Sequence, residues 1–230
     1  MTDSNKTELI CVIDRSGSMA NVVDDTIGGF NSLIQEQKKT DEELGTETNV
    51  TTVLFDHEYE LLHDGVDIQK IETITTDEYF PRGSTALLDA IGRSVNTVGH
   101  RLSKLNEKQR PGKVAVFVIT DGGENASDEF SGSQIKDIIK TQEDEYSWIF
   151  NFMGANQDAF LTAGNLGFDS RSIANYSSTK GIAGAVFSAS SSRLTSMKSA
   201  GNTYNRSVFL SDVDDLQVTV DSAVDDLNEK

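Results

Sequence analysis

Apolar residues fall into two alternating kinds of segment along this chain, short unbroken runs and stretches with helical spacing. Glu8 to Ile13 is a continuous run, as expected of a strand buried on both faces, and it ends at Asp14. Met19, Val23, Ile27, Phe30 and Ile34 then recur at intervals of three and four. That spacing predicts a helix from about Ala20 to Lys39, closed by the polar stretch Thr40 to Thr48. Val50 to Phe55 and Tyr59 to His63 are β-rich runs separated only by Asp56-His57-Glu58, too short a gap for a crossover helix, so one strand is expected to run antiparallel.

The alternation continues. Leu88, Ile91, Val95, Val98, Leu102 and Leu105 predict a strongly periodic helix, and Val114 to Thr120 is a second continuous strand that also ends at an aspartate, Asp121. A short helix around Ile135, Ile138 and Ile139, a strand from Trp148 to Met153 and a helix from about Gln157 to Asn165 follow. A short strand near Ser172 to Ala174 and a Gly/Ala/Ser-rich helix from Lys180 to Ala200 complete the series. Strands alternating with helices in this way predict an α/β fold with a largely parallel sheet. No internal repeat or long linker divides the chain, so residues 1–205 are read as one domain. Residues 206–230 differ: Val213, Leu216, Val220 and Leu227 keep helical spacing while Asp212, Asp214, Asp215, Asp221, Asp225 and Asp226 lie between them. This acidic segment is expected to be an amphipathic helix with Ser211 as N-cap, docked on the domain or serving as a partner-binding tail, although its valines leave a strand open for part of it.

Charge narrows the function classes. With 37 Asp+Glu against 20 Lys+Arg the net charge is -17, which repels a phosphate backbone, so no nucleic-acid partner is expected. The longest apolar runs reach five or six residues, far short of the roughly 20 that cross a bilayer, and no membrane partner is expected either. The first residues, Met1 to Thr7, lack the basic and apolar regions of a secretory signal, so a cytoplasmic location is expected. Cys11 is the single cysteine and, inside an apolar run, reads as a core residue. His57, His63 and His100 are scattered and read as surface or strand residues rather than ligands.

The chemistry concentrates where the two buried strands end. In a parallel sheet the crevice beyond the carboxyl ends of the strands is where ligands bind, so Asp14 and Asp121 are expected to face one place. The first strand continues as Asp14-Arg15-Ser16-Gly17-Ser18, in which alternate hydroxyls can point to one side while Gly17 permits the bend. Thr85, at a helix start behind Arg82-Gly83-Ser84, is a fifth oxygen donor. Hard divalent cations take oxygen, and Mg²⁺ takes it in near-octahedral geometry while keeping some water. Two carboxylates and three neutral hydroxyls leave such an ion electrophilic and open to a carboxylate from another molecule. Glu124, Asp128 and Glu129 read either as a solvated acidic loop or as a rim to the site.

Asp14-x-Ser16-x-Ser18, a distant Thr85 and a distant Asp121 after an apolar strand resemble the metal-ion-dependent adhesion site of von Willebrand factor type A domains. The resemblance covers roughly Thr7 to Ala200, and Thr120-Asp121-Gly122-Gly123-Glu124-Asn125 looks most like the stand-alone bacterial and phage members. It implies a Rossmann-like, mostly parallel six-stranded sheet with helices on both faces and Mg²⁺, or Mn²⁺ or Ca²⁺, at its top. Ser16 and Ser18 would be direct ligands, Thr85 direct or through water, and Asp14 and Asp121 would act mainly through water. The open coordination position would take an Asp or Glu of a protein partner. Nothing beyond Ala200 has a counterpart in the family.

A binding module without turnover is therefore expected. The enzyme alternative is a Mg²⁺-dependent phosphohydrolase, whose aspartyl-phosphate turn resembles Asp-x-Asp; here the second position is Ser16. No Gly-x-Ser-x-Gly elbow or phosphate-binding Gly-x-x-x-x-Gly-Lys-Ser/Thr loop occurs. A further alternative is an assembly subunit of a stress or phage-encoded complex working beside an AAA-type ATPase, as bacterial proteins of similar architecture do. Oligomeric state is not set by any of these features.

Overall fold

The continuous apolar runs become the centre of one sheet because both of their faces are covered. In the computed structural model, which describes residues 1–155, 157–176, 182–212 and 215–228, six strands form a single sheet in the order β3-β2-β1-β4-β5-β6. These are β1 (Asp3–Asp14), β2 (Glu47–Phe55), β3 (Tyr59–Asp67), β4 (Pro111–Thr120), β5 (Ile149–Gly154) and β6 (Ile173–Asn175). All pairings are parallel except β2 with β3, the hairpin at one edge. The helices are α1 (Val23–Leu44), α2 (Leu87–Ser103), α3 (Gly132–Tyr146), α4 (Gln157–Asn165), α5 (Ile182–Ser199), α6 (Arg206–Asp212) and α7 (Leu216–Asn228). The expected α/β class, six-stranded sheet, antiparallel edge and flanking helices are all present.

Side-chain alternation along each strand divides the core in two. Leu9, Cys11 and Ile13 of β1 join Phe117 and Ile119 of β4 in the layer under α1 and α5, while Ile10 and Val12 join Val116 and Val118 in the layer under α2 and α3. Cys11 is an inert core residue, as its apolar surroundings imply, and burial pushes its thiol up to about 12. Among the described residues no helix is long and apolar enough to cross a membrane.

Three expectations need correction. The first helix is preceded by a 3-10 turn (Gly17–Asn21) and continues to Leu44 rather than stopping at Lys39. Its polar last turns are helical because their partners are polar: Gln37 donates to the Ser191 carbonyl and to the Ser191 and Thr195 hydroxyls of α5, and buried Asp41 pairs with Lys198 at 2.8 Å. Second, β1 starts at Asp3, five residues before the apolar run. Third, the acidic C-terminal segment is two helices, and Ser211 lies inside α6 instead of capping a helix. Lys180 and Val213, assigned to helices from sequence, lie outside the described residues. Leu216 and Val220 of α7 are buried in the same core layer as α1 and α5. Gln217, also on α7, accepts a hydrogen bond from the Asn175 amide at 2.7 Å and donates to the Asn175 carbonyl at 3.0 Å, at the free edge of β6.

Candidate metal centre

Strand order reverses between β1 and β4, whose parallel register sets Ile13 opposite Ile119. Two parallel strands with connections leaving in opposite directions open a crevice at their carboxyl ends. Asp14 and Asp121 follow from the ends of these two strands, and the chain brings Ser16, Ser18 and Thr85 to the same crevice.

Asp14 is fully buried. Its Oδ1 accepts from the Ser16 amide at 2.6 Å, and its Oδ2 accepts from the Thr120 hydroxyl at 2.5 Å. Ser16 and Ser18 meet through the 3-10 turn, with hydroxyl oxygens 3.0 Å apart, and Ser18 donates to Asp121 Oδ1 at 2.5 Å. Gly17 is not in the left-handed region, and a methyl group there would meet nothing closer than the Gly83 carbonyl at 3.4 Å, so the turn does not need the glycine expected of it. The glycine the site does need is Gly122. A Cβ on it would lie 3.1 Å from Thr85 Oγ1, 3.5 Å from Ser18 Oγ and 3.8 Å from Asp14 Oδ2. Oxygens from the loop of residues 14–18 and from Thr85 therefore surround one point beside Gly122, a residue without a side chain on a third segment.

Thr85 is held there by backbone pairing between two loops. Its amide donates to Asn125 Oδ1 at 2.9 Å, and its carbonyl accepts from the Asn125 and Ala126 amides at 3.0 and 3.2 Å. The same acidic loop is fastened to the start of α2. Glu124 accepts from the Ala126 and Ser127 amides, the Ser127 hydroxyl and the Leu88 amide. Asp89 of α2 accepts from the amides of Asp128, Glu129 and Phe130. Glu124 is thus a loop organiser, and its carboxylate is turned away from the ion crevice toward α2. On the other side, the Arg82 amide donates to the Arg15 carbonyl at 2.8 Å and the Gly17 amide to the Gly83 carbonyl at 3.2 Å. Gly83 has φ +65°, and a Cβ there would collide with His57 Nδ1 at 2.1 Å.

The electrostatics suit a cation. Burial pushes Asp14 up to about 6; hydrogen bonds from Thr120 and Ser16 act against that rise, and the nearby Asp121 charge adds to it. Burial also raises Asp121, opposed by the Ser18 hydroxyl. Among the described residues no basic side chain pairs with Asp14, and none groups three or more His, Cys, Asp or Glu side chains into a metal cage. Any ion here has to be taken by hydroxyls and two carboxylates together.

All five residues singled out from the sequence are brought to this crevice. His57 lies on the hairpin beside Asp56, His63 is half-buried in β3 and His100 is exposed in the last turn of α2. The sequence reading quoted Thr120, Gly122 and Asn125 only as part of the stretch around Asp121, with no role of their own, and did not find Asp89. Thr120 and Gly122 flank Asp121 and were open to notice as hydroxyl and glycine neighbours of a ligand. Asn125 and Asp89 act through backbone amides, which leave no residue pattern. Nor did it find Tyr79, whose hydroxyl donates to the Asp14 carbonyl at 2.7 Å from beneath the site.

No family model and no curated protein matches this chain. Solved structures do. Proximal thread matrix protein 1 from the mussel byssus superposes with a TM-score of 0.56 at 14% identity, covering 84% of this chain and 47% of its own. This chain therefore spans about half the length of that protein. The manganese-loaded TRAP protein of Plasmodium vivax gives a TM-score of 0.53 at 17% identity, covering 76% of this chain and 70% of its own. These two likenesses establish a shared fold. A von Willebrand factor type A protein from Catenulispora acidiphila is matched more loosely, with a TM-score of 0.48 at 12% identity over 84% of this chain and 42% of its own.

Proposed function

We propose that this chain is a protein-binding module of the von Willebrand factor type A kind, which takes one Mg²⁺, or Mn²⁺ or Ca²⁺, at the β1/β4 crevice and through it the carboxylate of a partner protein. One observation carries the reading: oxygens of Asp14 and Ser18 from the first loop and of Thr85 from a second converge on the space that the missing side chain of Gly122, on a third, leaves open. The donor set fits. An octahedral Mg²⁺ with bonds of about 2.0–2.1 Å has neighbouring oxygens about 2.9 Å apart, and the Ser16 and Ser18 hydroxyls are 3.0 Å apart. Ser16, Ser18 and Thr85 would hold the ion, and Asp14 and Asp121 would accept hydrogen bonds from its waters. Ser18 is the exposed member, so an incoming carboxylate reaches the ion on its side. The manganese-loaded state named for the Plasmodium vivax protein supports an ion of this class in this fold.

The ion supplies a positive centre when bound; the chain supplies position. Burial keeps Asp14 away from bulk water, while Thr120 and the Ser16 amide fix both its oxygens. No turnover accompanies this. Glu124, the next carboxylate after Asp121, is committed to backbone amides and the Ser127 hydroxyl, which supports a binding role over acid/base chemistry.

Isothermal calorimetry with Mg²⁺ and Mn²⁺ tests the ion. The wild-type chain is expected to bind one equivalent, and Asp14→Ala with Ser16→Ala to bind none while remaining folded by circular dichroism. Unchanged affinity in that double variant overturns the assignment. Affinity capture from host lysate with Mg²⁺ and again with EDTA tests the partner, which is expected to be lost on chelation. Phosphatase activity that survives purification and disappears in Asp14→Asn would replace the binding reading with an enzymatic one.

A further inference from the structure

Beside the ion crevice the top of the sheet carries an arrangement that ion binding does not use. Arg15, between the first two residues of the ion loop, is fully buried. Its charge is matched by Asp56 Oδ2, 3.0 Å from Nε, and by Glu60, 2.6 Å from Nη1. Its Nη2 has no hydrogen-bond partner among the described residues. The guanidinium carbon lies instead 5.4 Å from the centroid of the Phe80 ring. Arg82 binds the same Asp56 oxygen at 2.8 Å, and its guanidinium carbon is also 5.4 Å from that centroid. Hydrogen bonds from Arg82 and the Glu58 amide, with the charges of Arg15 and Arg82, hold the Asp56 carboxyl below its ordinary range against the effect of its burial. One ionised carboxylate thus fixes two cations, and the two cations fix one aromatic ring.

That ring is 43% exposed. Covering a guanidinium occupies part of an aromatic surface, and the rest of Phe80 faces solvent in a fixed orientation. Its position is set by the two backbone hydrogen bonds that run residues 82–83 alongside residues 15–17. Phe80 stands two residues before Arg82, about 7 Å of extended chain. Tyr79 before it donates to the Asp14 carbonyl and the Arg82 amide beyond it to the Arg15 carbonyl, so Phe80 flanks the ion loop on the path of a segment leaving a carboxylate seated in the crevice. The charges beside the ring are paired with one another, Arg82 with Glu58 and Arg15 with Glu60, so what this patch offers an incoming segment is the apolar ring face, which an apolar side chain covers without breaking an ion pair. An immobilised aromatic inside a charged rim has the make-up of an interface hot spot.

Resting on the proposed ion site, we propose that Phe80 is the specificity-determining residue of the partner surface, taking an aromatic or large aliphatic side chain that neighbours the metal-binding Asp or Glu of an extended partner segment. The test is selection from a random heptapeptide phage library on the immobilised chain in Mg²⁺, with elution by EDTA. Wild type is expected to yield peptides in which an acidic residue has an aromatic or large aliphatic residue within two positions, enriched at least threefold over the input library. Phe80→Ser is expected to keep the acidic residue and lose the apolar neighbour. Phe80→Leu, which keeps an apolar cover over Arg15, is expected to shift the preference from aromatic toward aliphatic. Calorimetry on both variants should show wild-type Mg²⁺ affinity. Should Phe80→Ser lose Mg²⁺ binding, the Phe80→Leu pool decides, and an unchanged aromatic preference there overturns the inference. A wild-type pool with acidic residues but no apolar neighbour also overturns it while leaving the ion site standing. A pool without EDTA-released acidic peptides removes the ion-mediated partner reading itself.

Discussion

Glu8 and Asp14 lie on the same face of β1, both fully buried, and the chain completes one and not the other. Glu8 Oε1 accepts from Arg101 Nη2 at 2.7 Å and from the Thr51 hydroxyl at 2.9 Å, with Arg101 Nη1 3.3 Å from Oε2. Among the described residues Asp14 is held by the Ser16 amide and the Thr120 hydroxyl, and Arg15 beside it is turned to Asp56. Burial raises both carboxyls. For Glu8 the Arg101 guanidinium and the Thr51 hydroxyl oppose that rise and Asp64 adds to it; for Asp14 only the neutral groups of Thr120 and Ser16 oppose it and Asp121 adds to it. The contrast separates a finished structural ion pair from the proposed binding site: among the described residues Glu8 has a paired guanidinium and Asp14 has no paired basic side chain.

The largest test removes the counter-charge from the finished pair. Arg101→Met leaves Glu8 buried and unpaired, with an expected cost of about 3–5 kcal/mol in urea unfolding, and Glu8→Gln added to it should restore part of the loss. A cost below about 1 kcal/mol would mean that Glu8 too is uncompensated, and the comparison would break.

Asp14→Asn should act in the opposite direction. Its folded value of about 6 lies above the ordinary 3.8, so the folded metal-free chain holds this proton more tightly than the unfolded chain. The associated stability is present below about pH 4 and is lost as pH rises through 6. In EDTA at pH 7.5 the variant is therefore expected to be more stable than wild type by about 2–3 kcal/mol, with no difference near pH 3.5. The Asn side chain can keep the Ser16 amide as donor and turn its own amide to Thr120, whose hydroxyl has the Gly122 carbonyl 3.2 Å away as an alternative acceptor. Mg²⁺ should stabilise wild type and leave this variant unmoved.

Gly122→Ala sharpens the contrast at the ion itself. The methyl group would press on Thr85 Oγ1 at 3.1 Å, and calorimetry should show Mn²⁺ binding weakened about tenfold, near 1.4 kcal/mol, with unfolding stability changed by less. The smallest effect is expected from Asn125→Ala. The buried Thr85 amide loses its acceptor at a cost of about 1 kcal/mol of stability, and Mn²⁺ affinity falls only as far as Thr85 is loosened.

The two halves of this comparison were not equally readable. Unbroken apolar runs marked β1 and β4 because strands covered on both faces show no alternation, and the aspartates ending them marked the crevice. Ser16, Ser18 and Thr85 followed from residue type and placement. The Glu8–Arg101 pair joins residues 93 apart through register and helix rotation, and no local spacing encodes it. The polar end of α1 misled for a related reason: Gln37 and Asp41 look like loop residues until α5 supplies Ser191, Thr195 and Lys198 as partners. Glu124 and Asp89 likewise bind backbone amides, whose positions depend on the fold and not on composition. Where burial was apolar the pattern spoke; where it was polar, partners from distant segments had to be seen.

Gln217 has a consequence beyond holding α7 in place. A side-chain amide that takes the Asn175 N–H and returns a donor to its carbonyl satisfies two of the groups through which β6 would recruit another strand. A copy of this chain adding its own backbone there would have to lift α7 first, exposing Leu216 and Val220. At Asn175 the β6 margin is thereby shielded against templated growth by a single carboxamide, whereas the β3 margin presents the charges of Glu60 and Asp64.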